Sequence, residues 1–243
     1  MKKVIACAAA AASICVISGC SAASLPEGYE QFVQARERYE KLDSAKVTMT
    51  DIDADEEIMR FSFYFTGNDE MVFSYHGCWD GEEQQAYSDG AEFFYKESGD
   101  EKWSVISSAD ENYIYNIYNR KYRYPYAEGR IFFLAPEAVE NAETGTAPNG
   151  NFVITYDYDA EKLNSQSIPG IVGQISEFKT LTTTLETDPD GNIVSFTESG
   201  TIIAADGDEL TLNMRIDVAD INSVFDIPYP VDELYDNGEK TDG

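Results

Sequence analysis

Basic residues are scarce in this chain: 17 Lys and Arg stand against 45 Asp and Glu, with a single histidine, for a formal net charge of −28. A surface this acidic is repelled by phosphate backbones, which sets nucleic acid aside as a partner. Cysteine is sparse too, limited to Cys7, Cys15, Cys20 and Cys78. Long apolar runs are missing apart from Val4 to Ile17, and that stretch is shorter than the roughly 20 residues a membrane span needs. The chain has no glycine-rich phosphate loop and no G-x-S-x-G elbow, and His76 is its one imidazole base. Pairs of carboxylates exist, but among 45 acids a pair carries no information about glycoside chemistry. The sequence therefore reads as non-enzymatic and without a cofactor.

What is present begins with a leader. Lys2 and Lys3 precede the uncharged stretch, and Ser18-Gly19 close it. A basic start, an apolar middle and small residues at the end form a secretory signal peptide over 1–19. Ile17-Ser18-Gly19-Cys20 resembles the lipobox of bacterial lipoproteins. The resemblance implies cleavage before Cys20 and a diacylglyceryl group on its sulfur. Two acyl chains anchor stably, at about 0.8 kcal/mol for each buried methylene. The implied location is the outer face of the bacterial cell membrane, or the outer membrane where the source has two.

Cleavage at that point leaves 224 residues (243 less 19), with 15 basic and 45 acidic side chains and a net charge of −30. Cys7 and Cys15 depart with the leader and Cys20 carries lipid, so Cys78 has no disulfide partner. Stability then rests on a packed core, which a chain of this length can build.

Residues 20–27 form the lipidated N-terminus and tether, and Pro26 opens a helical pattern carried by Tyr29, Phe32, Val33 and Tyr39 over 26–42. Beyond Ser44 the apolar period becomes two: Met59, Phe61, Phe63 and Phe65, then Met71, Phe73 and Tyr75, with Asp/Asn/Gly turns between runs. Such short links mean antiparallel hairpins, because parallel pairs need long crossovers. Pro136 starts a short helix expected over 137–142, a loop is expected over 145–151, and residues 160–172 read as a broken helical connection. Three long strands close the pattern, over 178–186, 193–204 and 209–219. In the last of them Leu210, Leu212, Met214, Ile216 and Val218 share one dry face. Residues 224–228 offer a further short edge strand, and 231–243 a polar disordered tail.

The fold class is mainly β (α+β): a large curved antiparallel sheet or open half-barrel of about ten strands, with the N-terminal helix and short helices on its concave face. This order resembles the LolA/LolB-like and LppX-like lipoprotein carriers. It is carried by the helix running into Asp43-Ser44-Ala45-Lys46, the early hairpins, and the final meander ending in Ile227-Pro228. The resemblance is one of layout over a single domain, 28–230, and implies a cavity for acyl chains.

Three local patterns invite chemical readings. His76 and Cys78 lie two apart on a strand and share a face, as a nucleophile and base or two metal ligands would; a strand-end histidine and half-buried thiol is the simpler reading. Asp51, Asp53 and Asp55 alternate as in a calcium loop, but Glu56 stands where glycine is required and Ser62 where a bidentate glutamate belongs. Hairpin turns account for these acids and for Asp188-Pro189-Asp190-Gly191-Asn192. Finally, Tyr113, Tyr115, Tyr118, Tyr122, Tyr124 and Tyr126 crowd one segment, with Arg120, Lys121 and Arg123 among them and Arg130 beyond. Rigid aromatic faces beside guanidinium groups suit contact with a ligand or partner, and equally suit packing on the sheet with the bases neutralising the chain's own acids. The functional expectation is a membrane-anchored binding, carrier or sensor module for an apolar or amphipathic, lipid-like ligand. The alternative is an envelope interaction or assembly component using residues 113–130 as its contact surface.

Overall fold

The structure, a computed structural model, describes residues 25–66, 70–79, 81–90, 92–105, 131–166, 175–223 and 226–228. Alternating apolar residues set the strands β1 Ser44–Asp51, β2 Glu56–Phe65, β3 Met71–Trp79, β4 Glu82–Asp89, β5 Phe93–Glu97, β6 Ser104–Val105, β7 Val139–Thr146, β8 Phe152–Tyr158, β9 Ile175–Thr187, β10 Ile193–Ala204 and β11 Glu209–Ala219. They form one antiparallel sheet in the order β6-β5-β4-β3-β2-β1-β11-β10-β9-β8-β7. Two sequential meanders thus meet at one seam, where β1 pairs with β11. Among the described residues the outer strands β6 and β7 do not pair with each other, so the sheet stays open.

Helix α1, Tyr29–Tyr39, defines the concave side. Phe32, Ala35, Arg36 and Tyr39 make its buried stripe at helical spacing, and Glu30 and the pair Arg36 and Arg38 complement the helix dipole at its two ends. Phe32 stacks on Tyr156 of β8 with ring centroids 5.8 Å apart and meets Phe196 of β10 edge-on at 6.1 Å. Tyr39 packs edge-on to Phe132, which in turn meets Phe196 at 5.7 Å. Gly28 precedes the helix with φ 75°, and a Cβ there would lie 2.9 Å from Thr144 Cγ2, so only glycine lets the chain enter against β7 and β8.

The core runs across both meanders on this side, from Phe61, Phe63, Phe73 and Phe93 through Val47, Ile216 and Val218 to Phe196, Leu185 and Ile154. Gly200 of β10 marks a close backbone approach to β9. A Cβ there would overlap the Thr180 carbonyl of β9, next to irregular pairing at Thr201/Ile202. A second helix, α2 Ala160–Ser165, is capped by Asp159, whose side chain accepts from the Lys162 N–H. It buries Leu163 and docks on β9 through paired bonds between the Asn164 side chain and the Phe178 backbone.

Three expectations require correction. The helix expected over 137–142 is cut short: a 3₁₀ turn at Pro136–Ala138 gives way to β7 at Val139, and Gly145 and Thr146 belong to that strand and not to the loop expected over 145–151. Helix-forming residues there occupy an edge strand, irregular between Val139 and Asn141, and pairing with β8 overrides their local preference. Residues 226–228 lie in no strand. Ile227 instead buries itself on the convex face against Val72, Tyr87 and Phe94, with Tyr64 and Trp103 beside them, so that residues 226–228 lie on the back of the first meander.

Candidate functional site

The apolar stripe of β11 does not stay dry along its length. Val218 and Ile216 sit in the core, Met214 and Leu212 are half-buried, and Leu210 is 48% exposed. The reason is a mismatch of strand lengths. β1 ends at Asp51 opposite Met214, while β11 begins at Glu209, so the last turn of the β10–β11 hairpin projects beyond its neighbour. This corrects the expectation of a uniformly buried face. The projection forms a lip at the end of the sheet opposite the seam's Ser44–Ala219 end. Ile202 and Phe178 form its buried floor, and Leu210 pairs across to Ile202. Ile52, in the β1–β2 turn, is 38% exposed and donates its N–H to the Asn213 carbonyl of the lip at 2.9 Å.

Below the lip the concave surface is lined by methionine. Met49 pairs across to Met59, and Met214 follows Ile216 along the same face of β11. Met59 is buried, whereas Met49 and Met214 are half-buried. Unbranched thioethers fill irregular gaps and repack readily, a property suited to apolar ligands of variable shape.

Polar groups punctuate this surface. Glu198 of β10 stands between Thr183 and Met214 in the cross-strand rows. The Tyr158 hydroxyl lies 3.3 Å from Thr183 Oγ1, takes a hydrogen bond from the Ala135 N–H, and is held neutral by burial, with the Glu198 carboxylate adding to the upward shift. Burial also raises Tyr156 to about 12, and its hydroxyl donates to the Glu27 carbonyl at 2.9 Å, tying the chain ahead of α1 to β8. Arg36 places a cation, 5% exposed, under α1; burial raises the pKa of Glu40 one turn on, while the Arg36 charge opposes the shift. Holding their protons, the tyrosines are not proton shuttles at neutral pH.

His76 and Cys78 do share a face, as the spacing requires, but it is the convex one, of opposite parity to Phe73 and Tyr75. His76 lies opposite Arg60 and Gln85, and Cys78 opposite Glu83. Among the described residues no cluster of three or more His, Cys, Asp or Glu is arranged to hold a metal ion. The alternating acids after Asp51 form the β1–β2 turn, where Asp51 Oδ1 accepts from the N–H groups of Asp53 and Ala54. Asp188 likewise closes the β9–β10 turn on the backbone and side chain of Asn192. Cys20 and the segment holding Tyr113, Tyr115, Tyr118, Arg120, Tyr122, Arg123, Tyr124, Tyr126 and Arg130 lie outside the described residues.

Sequence reading identified the β11 stripe but not the lip, Met49 or Ile52. The missing signal is relative strand length: the stripe becomes a surface only where β1 stops short.

No protein-family model matches the chain, and no curated protein matches it. Among solved structures it is similar to LprF from Mycobacterium bovis, at 15% sequence identity and a TM-score of 0.48, over 85% of this chain and 99% of that one. Among the described residues no helix is long and apolar enough to cross a membrane.

Proposed function

We propose that the chain is a membrane-anchored extracytoplasmic lipoprotein that binds an apolar or amphipathic, lipid-like ligand on the concave face of its open sheet, without catalysing a reaction. The observation that carries this reading is the β11 stripe passing from core to solvent beside half-buried Met49 and Met214. A face built only to close a core has little use for an apolar row that continues past the end of β1, its neighbour on one side. The leader supports the anchored location through Ile17-Ser18-Gly19-Cys20. A tethered acceptor or sensor suits such an anchor better than a freely diffusing carrier.

Native mass spectrometry of the chain carrying Cys20→Ser, purified from its host, tests this reading. Lipid adducts that disappear in Met214→Asp are the expected result. A species free of adducts that also takes no lipid from phosphatidylcholine vesicles would overturn it.

A further inference from the structure

We propose that the outer edge of β7 receives an extended peptide strand from a partner protein, added antiparallel along residues 141–146. The added strand carries basic and aromatic side chains on the convex side and β-branched ones on the concave side. The inference goes beyond the lipid reading and does not rest on it.

The two ends of the sheet differ in what they offer. β6 is two residues long, too short to template a further strand. β7 has eight residues, and among the described residues it pairs only with β8. Its irregularity is confined to Val139/Asn141; beyond it the pairing runs without a break from Asn141↔Asp157 to Thr146↔Phe152. The backbone N–H and C=O groups along the other side of that stretch are a template for strand addition. Neither proline nor lysine, two residues that commonly block such an edge, occurs in β7.

The side chains of β7 set what can be added. On the concave side Ala142 and Phe152 pack on the margin of the core and stay half-buried, so β-branched residues laid beside Ala142 and Thr144 extend the core by one strand. On the convex side Asn141, Glu143 and Gly145 alternate. A Cβ at Gly145 would meet nothing within 4 Å, and Gly145 pairs with half-buried Val153 of β8. A large aromatic side chain laid across that glycine covers Val153.

Charge then separates the candidate occupants. Glu140 and Glu143 are exposed, and β7 has no basic residue. Antiparallel pairing of β7 with a second copy over this stretch sets the two Glu143 side chains opposite or diagonal to each other, and like charges so placed are destabilising. Each copy also carries a net charge of −28. A lysine or arginine opposite Glu143 reverses the sign of that interaction, and the field of the chain steers a cationic strand toward it.

Fluorescence anisotropy on the chain carrying Cys20→Ser tests the proposal with the labelled peptide Thr-Tyr-Val-Lys-Val-Arg-Thr. Its tyrosine, lysine and first arginine fall opposite Gly145, Glu143 and Asn141. Two further peptides carry backbone N-methyl groups, one on both valines and the other on the tyrosine, lysine and arginine. Alternate amides of an added strand face β7 and the rest face away. One methylated peptide is therefore expected to bind at least about tenfold more weakly than the parent, and the other within about threefold. Glu143→Lys weakens the parent peptide by about fivefold or more, whereas Glu209→Lys on β11 leaves it within about twofold. Serine in place of the peptide's tyrosine weakens binding by about fivefold, and this difference vanishes in Gly145→Val, where the gap over Val153 is filled. Amide hydrogen exchange on the same chain shows new protection over residues 140–146 when the parent peptide is added, and requires no substitution in the sheet.

Equal binding of the two methylated peptides, protection centred on β10 and β11, or no binding at about 1 mM peptide would each overturn the proposal. Full exchange protection along both sides of β7 before any peptide is added would assign the edge to another segment of this chain. A dimer in sedimentation velocity that protects the same residues would assign it to a second copy. Lipid adducts in native mass spectra are expected with and without the peptide, so failure at β7 leaves the lipid reading standing.

Discussion

Replacing Phe32 with alanine removes the main attachment of α1 to the sheet. Phe32 is 0% exposed, stacks on Tyr156 with an interplanar angle of 19°, and meets Phe196 at 90°. Truncating a buried phenylalanine costs about 3–5 kcal/mol through lost transfer energy and the cavity left behind. Each ring pair adds about 0.5–1.5 kcal/mol beyond burial. The upper half of the range applies here, because Phe32 bridges β8 and β10 and neither strand can close the gap without moving its neighbour. A loss of about 4 kcal/mol corresponds to a fall in Tm of about 8–16 °C for a chain of this size. Urea unfolding followed by tyrosine fluorescence and far-UV circular dichroism measures it, with Phe32→Leu as the volume-conserving control expected to cost under about 1.5 kcal/mol. A loss below about 1 kcal/mol with unchanged m-value would refute the reasoning, since α1 would then contribute little to the cooperative unit. Lost hydrogen-exchange protection confined to α1, with the sheet unaffected, would show that the helix opens as a separate element.

Gly200→Ala forces a methyl group into the Thr180 carbonyl and is expected to lower stability by about 1–3 kcal/mol, whereas Gly145→Ala, with open space around its Cβ, stays within about 0.5 kcal/mol; paired urea midpoints decide it. Tyr156, raised from 10.0 to about 12, binds its proton more tightly folded than unfolded, so its stabilising contribution is complete below pH 10 and is lost as pH rises through about 12. Stability of the unsubstituted protein therefore falls over that alkaline window, and Tyr156→Phe is expected to flatten the fall in urea midpoints measured across it. Ile227→Asp places a charge against Val72, Tyr87 and Phe94, releases residues 226–228 from the convex face, and is expected to lower the stability read from the urea midpoint by about 2 kcal/mol or more.

Much of the fold was legible because two-residue periodicity survives wherever one face is buried. Phe61, Phe63, Phe73 and Tyr75 all point inward, and β10 and β11 begin and end where their turn residues require. Local signals failed where partners outvoted them. Val139 to Ala142 has the composition of a helix turn, yet β8 recruits it as a strand. The candidate site was half legible: β11 announces an apolar row, but the exposure of Leu210 depends on where β1 stops, a long-range fact that no window of sequence contains. His76 and Cys78 show the converse limit, since spacing placed them on one face and could not say which.

The seam between β1 and β11 sets the order in which this molecule can be completed. Ser44 and Glu209, the first residues of the two strands, lie 165 positions apart, and the strand with the earliest residues waits for one of the latest. A chain delivered from its N-terminus assembles β2 to β5 as local hairpins while one side of β1 still presents unpaired N–H and C=O groups. Until β11 arrives, that side is a template for any extended segment nearby, including the same strand of a neighbouring nascent chain. Truncation anywhere ahead of β11 therefore leaves the centre of the sheet uncovered, and not merely an end, and the resulting fragments are expected to aggregate through β1.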